Sequence, residues 1–329
     1  SGAALPDLNR VMTTRWGIVG TGRIASDFAR DLAHIRDAEI VAVASRTASG
    51  AVDCARPRGI PHAYGSLDEL SARTDIDVVY IAGIQPVHLP HATAMLSAGK
   101  HVLVEKPLAL DAREVATMIA TAKESRRFLM EAMWMRFNPL HVEIKRRLDA
   151  GEFGRITHID SDFSFSVPFD PQHRLFDPAK GGGAMRDVGI YPLTLAWWFL
   201  GKPDAWSARG TIGSTGVDEA VETTMTWNGG ATATLTCASR REGTRASTIT
   251  CERATIDIPG PSHASNVADI RTSSGIERVE CAPSGLHHQV VEVQRCIDAG
   301  LLESPRMTHT DSLAVTSFMD DVISAISKS

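Results

Sequence analysis

The sequence lacks the features of a membrane protein and of a nucleic-acid-binding protein. No apolar run approaches the roughly 20 residues that a membrane-spanning helix needs. There is no tract of basic residues, and the formal net charge is −5 at pH 7. A negatively charged chain without such a tract does not favour nucleic acid or an anionic membrane surface as its partner. We therefore expect neither partner.

Cysteine is also scarce. The five cysteines are scattered and form no Cys-x-x-Cys pair, which favours reduced thiols over a disulfide framework. No His-Glu-x-x-His sequence occurs among the twelve histidines, so we expect no metal site.

The N-terminal residues lack the basic, apolar and small-residue segments of a secretory signal, and Met12 is a candidate natural start. We expect a cytoplasmic protein.

The chain is long enough for two domains, with 329 residues. From residue 14 to about 130, apolar runs alternate with helical patterns, which predicts a parallel sheet with helices on both faces. We predict strands at 15–20, 39–45, 78–82, 101–104 and 127–131, and helices at 23–33, 48–56, 66–72, 87–98 and 111–125.

A glycine-rich turn follows the first predicted strand. The apolar run Trp16–Val19 leads into Gly20-x-Gly22-x-x-Ala25, and a helical pattern follows. Gly20 permits the turn, Gly22 lets the backbone approach a phosphate, and Ala25 keeps the helix close to the strand. Free N–H groups at a helix start attract an anion, although glycines also form ordinary turns. The residues of the predicted pyrophosphate-binding turn are Gly20, Thr21, Gly22, Arg23 and Ile24.

The second predicted strand ends in Ser45, Arg46 and Thr47. An acidic residue at this position would bind the ribose 2′-hydroxyl of NAD(H). Arginine can instead form charge-assisted hydrogen bonds with the 2′-phosphate of NADP(H). These three residues therefore predict that NADP(H) is preferred over NAD(H), with a solvated loop arginine as the alternative.

Two further strand ends carry polar residues. His88 follows the third predicted strand, and Glu105 and Lys106 end the fourth. The carboxyl ends of parallel strands border the ligand crevice, so we expect all three residues on the cofactor side of it. Pro107 restricts Lys106 to an extended backbone, and a fixed ammonium can stabilise negative charge on a reacting oxygen. The alternatives are a helix-start histidine without a chemical role and solvated charges.

The second half of the chain has a different pattern. Several segments alternate polar and apolar residues, as in Thr232–Cys237, which predicts a mainly antiparallel sheet with one solvated face. Asn228-Gly229 predicts a hairpin turn within Thr223–Cys237. We predict a helix at 139–149 and strands at 155–167, 205–213, 219–227, 231–239, 246–258 and 276–281.

The segment Gly181–Tyr191 predicts a flexible loop that enters a helix. Asp187 and Tyr191 would then lie one turn apart on one helix face. A tyrosine can act as general acid or base if its pKa is lowered, and a nearby lysine ammonium has that effect because it favours the phenolate. Alternatively, Asp187 is a helix N-terminal acid and Tyr191 a packed aromatic residue.

Three motifs together resemble the glucose–fructose oxidoreductase/inositol dehydrogenase (Gfo/Idh/MocA) family. They are Gly20-x-Gly22-x-x-Ala25, Gly99-Lys-His-Val-Leu-Val-Glu-Lys-Pro107 and Gly181-Gly-Gly-Ala-Met-Arg-Asp187-Val-Gly-Ile-Tyr191. The Glu-Lys-Pro segment is the most specific, and the resemblance covers nearly the whole chain. It implies an α/β protein with a Rossmann dinucleotide-binding domain, which we place at 13–131. It also implies a C-terminal α+β domain with a large open sheet, for substrate binding and oligomerisation, which we place at 132–329.

The resemblance also implies roles for particular residues. Many members carry histidine at the position of Tyr191. A tyrosine at this position resembles the branch of the family that contains dimeric dihydrodiol dehydrogenases and NADP-dependent D-xylose dehydrogenases. Lys106, Asp187 and Tyr191 then become the catalytic group. Trp134 and Arg136 would border the nicotinamide, with core filling as the alternative for Trp134.

The implied activity is NADP(H)-dependent oxidation or reduction at a CH–OH or carbonyl carbon of a sugar, polyol or cyclic diol. The implied assembly is a homodimer or higher homo-oligomer that forms through the C-terminal sheet. A non-catalytic NADP(H)-sensing regulator with the same fold is the alternative function. Polar candidates for substrate binding are too many to rank; they include Asp162, His173, Arg174, Asp177 and Arg240.

Overall fold

Two β-sheets organise residues 13–328, the part of the chain that the computed structural model describes. The candidate start at Met12 lies outside this range. One sheet is parallel and the other is mixed and mostly antiparallel. The predicted α/β fold class, a Rossmann domain followed by a domain with a large, mainly antiparallel sheet, is confirmed.

The first sheet contains the strands β1 (Thr14–Val19), β2 (Ala38–Ala44), β3 (His62–Tyr64), β4 (Val78–Ile81), β5 (His101–Glu105) and β6 (Leu129–Ala132). The helices between them are α1 (Arg23–Leu32), α2 (Ala48–Ala55), α3 (Leu67–Ser71), α4 (His88–Ser97) and α5 (Ala112–Ser125). The strand order is β3-β2-β1-β4-β5-β6. This order places a ligand crevice where the chain reverses direction across the sheet, between β1 and β4.

Local sequence explains most of these elements. All residues of β4 are buried, as expected for a strand covered by helices on both faces. The side chains of Thr47, Ser66 and Asp111 cap α2, α3 and α5 by accepting backbone N–H bonds. The strand β3 was not predicted, because its three half-buried residues form no apolar run.

The second half begins with α6 (Pro139–Asp149), β7 (Ile156–Ser164), α7 (Ile190–Leu200), β8 (Ala205–Ile212), β9 (Asp218–Thr226) and β10 (Thr232–Ala238). It continues with β11 (Ser247–Cys251), β12 (Thr255–Ile258), β13 (Val267–Thr272), β14 (Gly275–Glu280), α8 (His287–Asp298) and α9 (His309–Ile326). The sheet order is β14-β13-β12-β11-β7-β10-β9-β8, and only β7 and β10 pair in parallel. The predicted hairpin is confirmed, with Thr226 opposite Thr232.

Three parts of the second half differ from the prediction. The segment 246–258 forms two strands and not one, because the chain turns at Glu252 and Arg253. No glycine or proline marks this turn in the sequence. The strand β13 and the helices α8 and α9 were not predicted. In α9 the buried residues Val315, Phe318, Met319 and Val322 recur at helical spacing, so this helix was predictable from the sequence.

The helix α9 returns to the first sheet. The carboxylate of Asp320 accepts the N–H of Ala112 at 2.9 Å, and Nε2 of His309 lies 2.9 Å from the carbonyl oxygen of Leu129. Helix α9 also packs on β8 of the second sheet. The two halves of the chain are therefore joined by more than their connecting segment, and the domain boundary at 131/132 stays a prediction.

No helix among residues 13–328 has both the length and the apolar character that a membrane crossing requires. In the same range, no group of three or more His, Cys, Asp or Glu side chains is placed to hold a metal ion.

Candidate active site

The glycine turn after β1 fits a dinucleotide pyrophosphate. Gly20 has a φ of +114°, and a Cβ there would lie 2.8 Å from the carbonyl oxygen of Ala82, so only glycine suits this position. A Cβ on Gly22 would meet nothing within 4 Å, which leaves open space beside the backbone. The first turn of α1 contains no acidic residue, and no side chain caps it. Its N–H groups are therefore available to an anion.

The residues predicted to select the cofactor lie beside this turn. The Oγ1 of Thr21 is 3.4 Å from the Oγ of Ser45. The Oγ1 of Thr47 is occupied by the N–H of Gly50, at 3.2 Å. Arg46 is exposed and makes no hydrogen bond or ion pair with residues 13–328. Its guanidinium is therefore free to bind a phosphate.

Two other residues of the predicted turn, Arg23 and Ile24, make few polar contacts. The side chain of Arg23 is 97% exposed, and its Nε lies 3.8 Å from a carboxylate oxygen of Asp27. Ile24 is half-buried and packs against the core of the sheet. Neither residue projects a polar group that is held in place near Gly22.

His88 is buried, and both of its ring nitrogens face backbone carbonyl groups. Nδ1 lies 3.0 Å from the oxygen of Pro107, and Nε2 lies 3.1 Å from the oxygen of Gly83. Burial lowers the pKa of His88, so the ring is neutral. A neutral ring has one N–H, so it donates to one of these two carbonyl groups, and its position between them joins the loop after β4 to the loop after β5. A place for His88 on the cofactor side stays a prediction.

Glu105 supports Lys106 from within the sheet. Its carboxylate accepts the hydroxyl of Tyr80, and both side chains are buried. Burial raises the pKa of Glu105, although the Tyr80 hydroxyl and the charge of Lys106 oppose that rise. This contact holds the end of β5 directly before the lysine.

Lys106, Asp187 and Tyr191 lie together, as the sequence predicted. The ammonium of Lys106 donates to the backbone oxygen of Asp187 at 2.6 Å and lies 3.8 Å from its carboxylate. It also lies 5.0 Å from the centre of the Tyr191 ring. Burial lowers the pKa of Lys106, but its interactions with Tyr191, Asp187 and Glu105 together outweigh burial and raise it. The lysine is therefore a fixed cation.

Arg174 is a second cation on Asp187. Its guanidinium contacts the two carboxylate oxygens of Asp187 at 2.7 and 3.3 Å. Burial raises the pKa of Asp187, but the charges of Lys106 and Arg174 outweigh it and hold the pKa below its usual value. Asp187 is thus an anion between two cations, suited to orienting them and not to exchanging a proton at neutral pH.

Trp134 lies beside the reactive phenol. Its indole N–H donates to the Tyr191 hydroxyl at 3.0 Å. Because this bond uses the oxygen as an acceptor, the hydroxyl proton of Tyr191 remains available to another molecule. We expected Trp134 near the site, but its bond to Tyr191 was not predicted.

The pKa of Tyr191 results from opposing effects. Burial raises it above the usual value of a phenol, and Lys106 and Trp134 offset only part of that rise. Lys106 lowers the pKa as expected, but removal of the phenol from water outweighs that effect. Tyr191 presents a protonated phenol at neutral pH.

The helix that carries these residues starts with a wide turn. Residues Met185–Gly189 are π-helical, and α7 follows directly, so Asp187 and Tyr191 are not separated by one regular α-helical turn. A π-type bond would join the carbonyl of Asp187 to Pro192, which has no N–H. That carbonyl instead accepts Lys106. Such turns occur frequently at functional sites.

The glycines before this turn are closely packed, where we expected a flexible loop. A Cβ on Gly181 would lie 2.8 Å from the Oε1 of Gln85, and a Cβ on Gly182 would lie 2.8 Å from the backbone oxygen of Leu175. Gly183 has a φ of +127°, and a Cβ there would clash with the carboxylate of Asp218. That carboxylate accepts the N–H of Met185 at 2.6 Å. The glycines therefore fix the start of the helix.

Arg136 joins the segment after β6 to two helices of the second half. It is buried, its guanidinium contacts the carboxylate of Asp311 at 2.8 Å, and it lies over the ring of Trp198 at 5.0 Å. These contacts connect the segment after β6 to α9. They give Arg136 a structural role, and its expected contact with the nicotinamide stays a prediction.

The structure adds His263 and Phe163 to the site. The ring centres of His263 and Tyr191 are 4.5 Å apart, and those of His263 and Phe163 are also 4.5 Å apart. Both residues belong to the second half of the chain, and the fold brings their rings against Tyr191. No sequence signal distinguishes His263 from the other histidines.

Among the unranked polar candidates, only Arg174 contacts the catalytic group. Asp162 accepts hydrogen bonds from Ser164 and from the N–H of Arg245. Asp177 caps the short helical turn at 178–180. The ring of His173 lies 6.0 Å from that of Phe176, and the guanidinium of Arg240 lies 5.2 Å from the centre of the Phe169 ring.

The chain matches two family models that together cover most of its length. Residues 14–133 match an oxidoreductase family with an NAD-binding Rossmann fold. Residues 141–257 match the GFO/IDH/MocA C-terminal domain. Fold and matches together define an oxidoreductase with an NAD-binding Rossmann domain. The chain belongs to the Gfo/Idh/MocA family, which confirms the resemblance inferred from its motifs.

Individual relatives agree with this assignment. The chain is 35% identical over 325 residues to a trans-1,2-dihydrobenzene-1,2-diol dehydrogenase of Danio rerio, covering 94% of this chain and 96% of the relative. A 3-ketoreductase from Actinomadura kijaniata, solved with NADP and TDP-benzene, superposes with a TM-score of 0.84 at 26% identity and coverage of 95% and 97%. An aldose–aldose oxidoreductase from Caulobacter crescentus has a TM-score of 0.87 at 23% identity and coverage of 96% and 98%, which shows a shared fold.

Proposed function

We propose that the protein is an NADP(H)-dependent oxidoreductase that moves a hydride to or from a carbinol or carbonyl carbon of a sugar, polyol or cyclic diol. The observation that carries the proposal is the arrangement around Tyr191. Its hydroxyl accepts a bond from Trp134 and keeps its own proton, and the Lys106 ammonium lies 5.0 Å from its ring. We assign Lys106, Asp187 and Tyr191 as the catalytic group.

Each residue of this group has a defined task. When bound, the nicotinamide supplies or takes up the hydride. In the reduction direction Tyr191 donates its proton to the carbonyl oxygen, and in the oxidation direction its phenolate accepts the hydroxyl proton. Lys106 stabilises the phenolate and the alkoxide electrostatically. Asp187 holds Lys106 and Arg174 in place through its backbone and carboxylate oxygens.

The preference for NADP(H) rests on the end of β2. Arg46 is exposed and unpaired within residues 13–328, and no acidic residue stands at Ser45 or Thr47 to repel a 2′-phosphate. The NADP complex of the related 3-ketoreductase supports the same preference.

The substrate class rests on the relatives and on the wall of the site. The dihydrodiol dehydrogenase and the 3-ketoreductase are named for carbinol and carbonyl chemistry. The rings of Trp134, Phe163 and Tyr191 offer flat apolar surfaces, which suit the C–H face of a cyclic substrate. A cytoplasmic location stays a prediction.

A homodimer formed through the second sheet is the proposed assembly. One face of that sheet packs against α7 and α9. The other carries exposed or half-buried polar side chains, among them Thr224, Thr234, Thr248 and Asp160. Sedimentation equilibrium should give twice the monomer mass, and a strictly monomeric protein would contradict this part of the proposal.

Cofactor binding and turnover test the proposal. Nicotinamide fluorescence titrations with NADPH and NADH should show tighter binding of NADPH. Absorbance at the nicotinamide band should then reveal turnover within a panel of aldoses, ketosugars and trans-dihydrodiols. NADPH binding without turnover on any substrate would favour the sensing regulator, and no binding of either cofactor would refute both functions.

A further inference from the structure

Tyr191 belongs to a wall of four rings with only two free polar groups. The other members are Trp134, Phe163 and His263, and the ring centres of His263 and Trp134 are 5.3 Å apart. Phe163 has no polar atom, and the Trp134 N–H is already donated to Tyr191. The groups left to bind a substrate are the Tyr191 hydroxyl and the imidazole of His263.

The imidazole of His263 has no partner in the protein. It makes no hydrogen bond with residues 13–328, and its Nδ1 is buried. Burial, and then the charge of Lys106, lower the pKa of His263 to about 3, so the ring is neutral with one donor and one acceptor nitrogen. A buried polar atom without a partner is costly. Because the ring lies beside the reactive phenol, with ring centres 4.5 Å apart, a substrate that binds the Tyr191 hydroxyl comes close to this imidazole.

The fold holds His263 in place. The ring stacks on Phe163 with an angle of 25° between their planes. The preceding residue, Ser262, donates its N–H to the oxygen of Arg245 at 2.7 Å. Its hydroxyl lies 2.8 Å from that of Ser247, which lies 2.7 Å from that of Ser161. The imidazole is therefore positioned before a substrate arrives, which lowers the cost of binding.

We propose that His263 hydrogen-bonds the oxygen next to the reacting carbon, so that the site selects cyclic substrates with two adjacent oxygens. One oxygen reacts at Tyr191, and its neighbour binds His263, whose ring centre is 4.5 Å from that of Tyr191. A ring with a single oxygen would leave the imidazole unpaired. This inference rests on the proposed oxidoreductase function and adds the feature by which the site recognises its substrate.

Matched pairs of probes test the proposal: trans-1,2-cyclohexanediol against cyclohexanol, and D-glucose against 2-deoxy-D-glucose, each with NADP⁺. For any pair that it oxidises, the wild-type protein should favour the member with the adjacent hydroxyl by about tenfold or more in kcat/KM, the effect of one hydrogen bond. His263→Phe keeps the stacked ring and should bring the ratio close to one, mainly through a higher KM. His263→Asn retains a polar group and should restore part of the preference.

Two controls separate the outcomes. His34→Phe changes an exposed histidine of the turn after α1 and should keep the wild-type ratio, and all variants should retain NADPH binding. A folded His263→Phe protein that binds NADPH and keeps the wild-type ratio would overturn the inference and leave the proposed function intact. A wild-type protein that turns over panel substrates but oxidises neither trans-1,2-cyclohexanediol nor D-glucose would also overturn the inference. One that oxidises no substrate of either this set or the wider panel would overturn both.

Discussion

Trp134 adjusts the acidity of Tyr191 through a single hydrogen bond. Its indole N–H donates to the phenol oxygen at 3.0 Å, an arrangement that favours the phenolate and so lowers the pKa of Tyr191. Burial acts in the opposite direction and is the larger effect. The ionisation of this phenol is therefore set by neighbours that are distant in sequence, which is why the net direction of its pKa shift could not be predicted from the sequence.

Replacing Trp134 with phenylalanine should raise the pKa of Tyr191. The ring would remain but the N–H would be lost, and one neutral hydrogen bond corresponds to about 0.5–1 pH unit. In the oxidation direction, the rise of kcat/KM with pH should therefore move upward by that amount. Trp227→Phe is the matched control, because the Trp227 N–H donates to Gly201 outside the site. Superimposable pH profiles for Trp134→Phe and the wild type would refute the role.

Arg46 should decide between the two cofactors. Its replacement by alanine removes charge-assisted bonds to a 2′-phosphate and should weaken NADPH binding by roughly ten- to a hundredfold. NADH binding should not change, since NADH lacks that phosphate. Arg56→Ala, at another exposed arginine of the same half, serves as control. Equal losses of affinity for NADPH and NADH would show that Arg46 does not bind the 2′-phosphate.

The turn between β1 and α1 is the element that sequence alone predicts best. Its glycines carry the information locally, because Gly20 needs a positive φ and Gly22 needs open space beside it. The π-helical turn before α7 is less predictable, since its shape depends on Gly183, on the buried Asp218 and on a distant lysine. His263 reaches the site through the second sheet, so its role depends wholly on tertiary structure.

Alanine at Gly22 should separate folding from cofactor binding. The backbone there has a φ of −72°, which alanine adopts readily, and its methyl would meet nothing within 4 Å. The free energy of unfolding should change by less than about 0.5 kcal/mol, whereas NADPH binding should weaken at least about tenfold. Gly229→Ala, in the β9–β10 turn with equally open space, should change neither. A Gly22→Ala protein with wild-type affinity would contradict the proposed pyrophosphate site.

The junction between the two halves of the molecule contains a buried acid. Glu131 lies in β6, accepts the N–H of Leu108 at 3.1 Å, and is close to Ser312 of α9. Burial raises the pKa of Glu131 to about 7. The folded protein therefore keeps a proton on Glu131 at pH values where the unfolded chain has lost it.

This raised pKa predicts a pH dependence of stability. Between about pH 4.5 and 7 the folded state binds more protons at Glu131 than the unfolded state, so its contribution to stability falls as pH rises. Glu131→Gln should remove a decline on the order of 3 kcal/mol across that range. Urea unfolding at several pH values measures it, with the exposed Glu124→Gln of α5 as control. Parallel stability curves for the wild type and Glu131→Gln would contradict the prediction.

The most direct test of the proposed function is the turnover rate of Tyr191→Phe. This change removes the proton donor and keeps the ring that packs against Lys106, Phe163 and His263. We expect NADPH affinity to remain within about twofold of the wild type, and kcat to fall by roughly 10²–10⁴-fold. A variant that binds NADPH and turns over substrate at the original rate would refute Tyr191 as the acid and base, and with it the mechanism proposed for this site.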